Sequence, residues 1–162
     1  MTNVIFVGRI TPNKRIDNVI RHFNAYQQLF NPRSRLLLVG SYAGFDRYHA
    51  MLAGLVARLG TSNVRFFGHV TNAELAACYD VADVFLCASE HEGFCVPLVE
   101  AFREGIPVLA YAATAVPATM DGAGILYETR NPVHVAQLVD RVVTNRELRD
   151  RIVEGQDAAL AR

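Results

Sequence analysis

Val84-Phe85-Leu86-Cys87-Ala88-Ser89-Glu90-His91-Glu92-Gly93-Phe94-Cys95-Val96-Pro97-Leu98-Val99-Glu100 is the stretch on which the fold turns. Its first four residues are apolar without alternation, the pattern of a strand covered on both faces. A polar loop follows and turns at Gly93. Pro97 is then placed for the first position of a helix. The same kind of apolar run recurs at 4–7, 36–39, 64–67 and 108–111, with a weaker one at 124–126. Between the runs, apolar residues fall at helical spacing over 16–30, 49–59, 72–81, 97–104, 132–145 and 147–161. Thr71 and Glu74 make a capping box for the third of these helices. Strands alternating with helices predict an α/β fold: a doubly wound, Rossmann-like parallel sheet in a single domain over 1–162.

The composition supports a packed domain. Hydrophobic residues make up 51% of the 162, enough for a core and too many for a disordered chain. Sixteen Lys and Arg balance sixteen Asp and Glu, so the chain lacks the long-range field that binds nucleic acid or an anionic membrane. Lys14 is the only lysine. Cys78, Cys87 and Cys95 are odd in number and lack a CxxC pair, which argues against a disulfide framework or a zinc cluster and for a reducing compartment. No apolar run reaches the ~18 residues of a membrane span, and Val4–Val7 begins too early to leave room for a signal peptide. The last helix runs to the final residue without a capping signal, so the chain is expected to be part of something longer.

Open parallel sheets bind ligands at the carboxyl ends of their strands. The first such loop is Gly8-Arg9-Ile10-Thr11-Pro12-Asn13-Lys14. Gly8 permits a sharp turn, and Arg9 and Lys14 would suit a diphosphate, the former through paired oxygens and the latter as a point charge. Two solvated surface cations are the alternative reading. Asn13 stands where a Walker loop needs glycine, and a GxGxxG fingerprint is missing. In the loop after the fourth strand, the N–H groups of Phe94, Cys95 and Val96 lack helical partners and make an anion site at a helix N-terminus. Glu92 and Glu100 flank that site from the loop and from the first turn. For Glu100, simple complementation of the helix dipole is the alternative. His91, between Glu90 and Glu92, reads as their charge partner. Asp80 and Asp83, at a helix end and a strand entry, read as structural. No His/Asp/Glu cluster has metal-ligand spacing.

Taken together, these residues resemble the C-terminal, nucleotide-sugar-binding domain of a GT-B fold glycosyltransferase of the family 4 (group 1) type. The landmarks are Gly8-Arg9 with Lys14, Gly68-His69-Val70, Tyr79-Asp80-Val81-Ala82-Asp83-Val84, Glu92-Gly93-Phe94 through Glu100-Ala101, and the exit Gly105-Ile106-Pro107-Val108. Glu92 and Glu100 match the family's E-x7-E pattern. The resemblance implies a retaining hexosyltransferase that takes a sugar from UDP or GDP to a glycan, lipid or small acceptor. It implies Arg9, Lys14 and Glu92 as catalytic residues: two cations on the diphosphate and a carboxylate on the transferred sugar. Gly8, Gly93, Phe94, Cys95 and Val96 would serve the donor, Val70 the base through its backbone, and Glu100 the ribose. No metal or other cofactor is implied. The partner is an N-terminal GT-B domain absent from this chain, through which any membrane contact would be made, and the compartment is the cytoplasm. On this expectation the chain alone binds donor weakly and transfers little sugar. A non-catalytic nucleotide-sugar-binding module is the alternative. Two positions depart from the family: Cys95 replaces a frequent glycine, and is expected to narrow the approach of phosphate or sugar, and Arg15 replaces a glycine after the lysine.

Overall fold

The computed structural model describes residues 1–162. Six strands form one sheet: β1 (Thr2–Val7), β2 (Ser34–Val39), β3 (Val64–Gly68), β4 (Val84–Cys87), β5 (Val108–Tyr111) and β6 (Ile125–Tyr127). All neighbours are parallel, in the order β3-β2-β1-β4-β5-β6. The helices are α1 (Ile16–Leu29), α2 (Asp46–Leu59), α3 (Asn72–Val81), α4 (Val96–Arg103), α5 (Val116–Met120), α6 (Pro132–Thr144) and α7 (Arg146–Leu160), with a 3-10 turn at Pro12–Lys14.

The unbroken apolar runs split by parity into two cores. Val4, Phe6, Leu36, Leu38, Val84 and Leu86 face α1, α2 and α6, where Ile20, Phe23, Leu52 and Val139 meet them. Ile5, Val7, Leu37, Val39, Phe85 and Cys87 face the other way, onto Tyr79 of α3 and Leu98 and Phe102 of α4. A strand buried on both sides has no polar face to show, which is why these runs do not alternate. The doubly wound sheet is therefore as expected.

Several boundaries shift. Thr2, Asn3, Ser34 and Arg35 extend β1 and β2, because the ladder pairs Thr2 with Ser34 and Asn3 with Arg35. The second helix starts at Asp46, not 49. The fourth starts at Val96, which puts Pro97 second. Gly124 belongs to the turn before β6, with φ 68. The five-residue α5 escapes a periodicity argument altogether. The capping box of Thr71 and Glu74 forms as expected, and Asn145 separates α6 from α7 by capping the latter. Asp83 is structural: its carboxylate accepts from the Asn3 N–H at 2.8 Å, and its carbonyl from Arg149.

The strand order places the site. From β1 the chain moves outward through β2 to β3, then returns to the other side of β1 with β4. Loops leaving β1 and β4 diverge, and a crevice opens between them at the carboxyl edge.

Candidate functional site

The first wall of the crevice is the loop leaving β1. Gly8 and Gly40, both at φ 152, bring the ends of β1 and β2 into contact: a Cβ on Gly40 would lie 1.7 Å from the Gly8 carbonyl oxygen. The Gly8 N–H donates to the Val39 carbonyl at 2.9 Å. The exposed Arg9 guanidinium lies over the Phe45 ring and donates to the Ala43 carbonyl at 3.4 Å. The 3-10 turn then carries Lys14 across the crevice, where its Nζ meets Glu92 Oε1 at 2.5 Å. This ion pair is mostly enclosed, with side-chain exposures of 18% and 6%.

Asn13 stitches the same two loops together. Its carbonyl accepts from the Glu90 N–H at 3.0 Å, and its Nδ2 donates to the His91 carbonyl at 3.2 Å. Arg15 donates to Glu90 at 2.6 Å, and Arg130 reaches the same carboxylate at 3.2 Å. The expected partnership of His91 with Glu90 and Glu92 is thus not what forms. Glu92 is taken by Lys14 and Glu90 by Arg15 and Arg130, and the His91 ring makes no hydrogen bond.

The second wall is the start of α4. Gly93 and Phe94 are exposed, the latter at 61%. The N–H groups of Phe94 and Cys95 make no hydrogen bond within the fold, and that of Val96 opens the helix. Cys95 itself departs from expectation. Its side chain is turned inward, 3% exposed, beside Cys87 in the core under α4. It does not narrow the approach to the loop, because a strand-to-helix turn that buries Leu98 also buries the residue preceding the helix. The hydrogen bond to Cys87, and then burial, hold the Cys95 thiol well above its ordinary value, so it stays protonated and is no nucleophile.

The sequence-predicted residues fall in four depressions, and Phe94 stands in one of about 260 Å³ beside Val99, Phe102 and Leu160, apart from the other three. Gly8, Arg9, Asn13 and Lys14 line a cleft of about 620 Å³ with Phe45 and Pro97, and Glu92 joins it through Lys14. Glu100 lies in a neighbouring pocket of about 240 Å³, with Asn72, Leu75, Tyr79 and Arg103. There the Tyr79 hydroxyl donates to Glu100 Oε2 at 2.9 Å. Burial, then the Glu100 charge, push the Tyr79 phenol well above its ordinary value, so it remains a donor. Val70 lines a third groove of about 640 Å³ with His69 and Phe67, alongside α3.

Four contributors carry no usable sequence signal as site residues. Asn13 serves at the sequence level only to exclude a Walker loop. Phe45 stands in a loop with no period. The Tyr79 ring belongs to the core and only its hydroxyl to the site. Thr114 bonds Glu92 across 22 residues of sequence. No group of three or more His, Cys, Asp or Glu side chains is arranged to hold a metal ion, and no helix is long and apolar enough to cross a membrane.

Chemically, the cations of the β1 loop and the unbonded N–H groups just before α4 are the kinds of group with which proteins hold phosphate oxygens. The family model for glycosyl transferases group 1 matches residues 2–157. Relatives include the O-antigen chain mannosyltransferase B of Escherichia coli, 30% identical over 75% of this chain and 32% of the relative. They also include the D-inositol 3-phosphate glycosyltransferase of Frankia alni, 35% identical over 94% of this chain and 39% of the relative. The chain thus spans about a third of the length of such relatives. Among solved structures, the C-terminal domain of a group 1 glycosyl transferase (LpcC) from Francisella tularensis superposes with a TM-score of 0.83, at 24% identity, over 99% of this chain and 85% of that one. Anabaena Alr3699/HepE, solved with UDP and glucose, gives 0.82 at 23% identity over 97% and 42%. At those identities the likeness is one of fold.

Proposed function

The chain belongs to the group 1 glycosyl transferases, and we propose that it is the donor-binding half of a retaining enzyme of the family 4 type. The observation that carries the proposal is the Lys14–Glu92 pair spanning the crevice beside the unbonded N–H groups of Phe94 and Cys95.

On this reading the donor diphosphate lies between Lys14, Arg9 and the N-terminus of α4. Arg9 rests on Phe45 in a weak, exposed contact that a phosphate readily replaces. Lys14 can share its three donors between Glu92 and a phosphate oxygen. Glu92 is bonded through one oxygen and has the other for hydroxyls of the transferred sugar. Glu100, held by Tyr79, accepts from the ribose, and the backbone at Val70 meets the base. When the sugar–phosphate bond breaks, the nucleoside diphosphate leaves with added negative charge. Donors already aimed at that charge lower the barrier, because they need not reorganise. The reading assigns this role to Arg9, Lys14 and the helix N-terminus, without a metal ion.

An acceptor domain lies outside this chain in the proposal, and the isolated chain is expected to transfer little or no sugar. The three buried free thiols suit a reducing compartment, and the proposal places the protein in the cytoplasm. The test is a thermal-shift panel of uridine, guanosine and adenosine diphosphates with their sugar conjugates. A ligand that binds only the native state raises its midpoint with concentration. One base is expected to stabilise the chain, and Lys14→Ala to abolish the shift. No stabilisation by any member of the panel would overturn the proposal.

A further inference from the structure

We infer that Thr114 is a positioning residue that holds Glu92, and through it Lys14, at the sugar end of the donor site; the inference rests on the donor-binding reading above. Thr114 lies between β5 and α5 and is exposed. Its backbone is left-handed, with φ 49. A β-branched residue is rarely found there, because its Cβ crowds the backbone. An exposed side chain adds nothing to a core that would offset that strain. What it does make is a two-way tie. The Glu92 N–H donates to Thr114 Oγ1 at 2.9 Å, and the same hydroxyl donates to the Glu92 carbonyl at 3.3 Å. Both backbone polar groups of Glu92 are thereby anchored by one side chain.

The anchor is rigid. Ala112 N–H donates to the Tyr127 carbonyl, tying the segment to β6 before Thr114, and after it Val116 N–H closes a turn onto the Ala113 carbonyl while the Val116 side chain is fully buried. A mechanical series results: β5 and β6 hold Thr114, Thr114 holds Glu92, and Glu92 holds Lys14. Without the hydroxyl, Glu92 would keep Lys14 as its partner, but the turn before Gly93 would lose both of its hydrogen bonds to the loop after β5. The carboxylate would then be less well placed for sugar hydroxyls, while the cations facing the diphosphate would remain.

Thr114→Gly separates this role from a structural one. Glycine accepts φ 49 without strain, so the variant keeps or gains thermal stability while losing the tie. Calorimetry on the full chain should show binding of the preferred nucleoside diphosphate changed less than twofold. Binding of its hexose conjugate should weaken about fivefold, the worth of one ordinary hydrogen bond. Thr114→Ser, which keeps the hydroxyl, should restore the conjugate's affinity. Amide exchange at Glu92 should rise by about the same factor in Thr114→Gly, with or without ligand. Unchanged exchange together with unchanged affinity for the conjugate would overturn the inference. Faster exchange in a chain whose wild type binds neither ligand would instead overturn the donor-binding reading, and the positioning role with it.

Discussion

Glu92 and Glu100 stand eight residues apart on one loop and helix, yet they are held in opposite ways. Glu92 is on a loop, almost fully enclosed, and answered by a full positive charge at 2.5 Å. Glu100 is on a regular helix, part-buried, and answered by a neutral phenol at 2.9 Å. The first arrangement depends on parts from β1, β4 and β5 meeting at the switch point. The second needs only α3 and α4 packed side by side. An anionic ligand competes for Lys14 and so acts on the first carboxylate, whereas it leaves the Tyr79–Glu100 contact intact. On the proposed function, one carboxylate is electrostatically coupled to the diphosphate, and the other is a fixed acceptor.

The sharpest way to break the comparison is Gly40→Ala. Its Cβ would collide with the Gly8 carbonyl oxygen, forcing the β1 loop and Lys14 away from Glu92. Denaturant unfolding should show a loss of about 4 kcal/mol, above the usual range for overpacking because the collision is with backbone, together with loss of nucleotide binding. Tyr79 and Glu100 do not depend on that loop.

Acid tests of the comparison carry a background from His22, on the buried face of α1 and far in sequence from both carboxylates. Burial holds its imidazole down to about 4 from an ordinary value of 6.5, with Asp17 opposing. Its Nδ1 has no partner. The folded form therefore resists protonation more than the unfolded chain does. The associated stability is present above pH 6.5 and drains away as pH falls toward 4, amounting to about 3 kcal/mol. Unfolding measured at pH 7.5 and at pH 4 should show this loss, and His22→Leu should remove that share of it.

Lys14→Met sharpens the comparison directly. It leaves an enclosed carboxylate without its cation and should cost about 2 kcal/mol, discounted for the partial exposure of the pair. Adding Glu92→Gln should restore most of that stability but not nucleotide affinity. Recovery of affinity would detach Lys14 from the diphosphate. The smallest effect is expected from Tyr79→Phe, about 1 kcal/mol for one hydrogen bond. Calorimetry should find it, like Glu100→Gln, less able to distinguish a ribonucleotide from its dideoxy analogue. Undiminished discrimination would remove Glu100 from the ribose.

Legibility in the sequence followed the range of the interaction. Burial on both faces is written residue by residue, so 84–87 and 108–111 were read to the residue, and the capping box fixed 72–81. Thr2 and Ser34 carry no strand signal, because their polar side chains conceal a backbone ladder. Gln156, fully buried on α7, completes the start of β5 by bonding Val108 N–H and the Ile106 carbonyl, and no local pattern announces it. In the site, Arg9, Lys14 and Glu92 stand out as charges in strand-end loops, and Glu100 as one close to a helix start; because α4 begins at Val96 rather than Pro97, Glu100 falls beyond its first turn, against expectation. The pairing of Lys14 with Glu92 does not stand out, since the two are 78 residues apart. Nor does the inward turn of Cys95, which packing under α4 decides.

The most direct measurement is an amide chemical-shift map of the chain titrated with the nucleoside diphosphate that stabilises it. The account predicts the largest changes at Gly8, Arg9 and Lys14 and at Phe94, Cys95 and Val96, with smaller ones around Glu100. Changes centred on the groove between Phe67 and α3, with the amides of 94–96 silent, would contradict it.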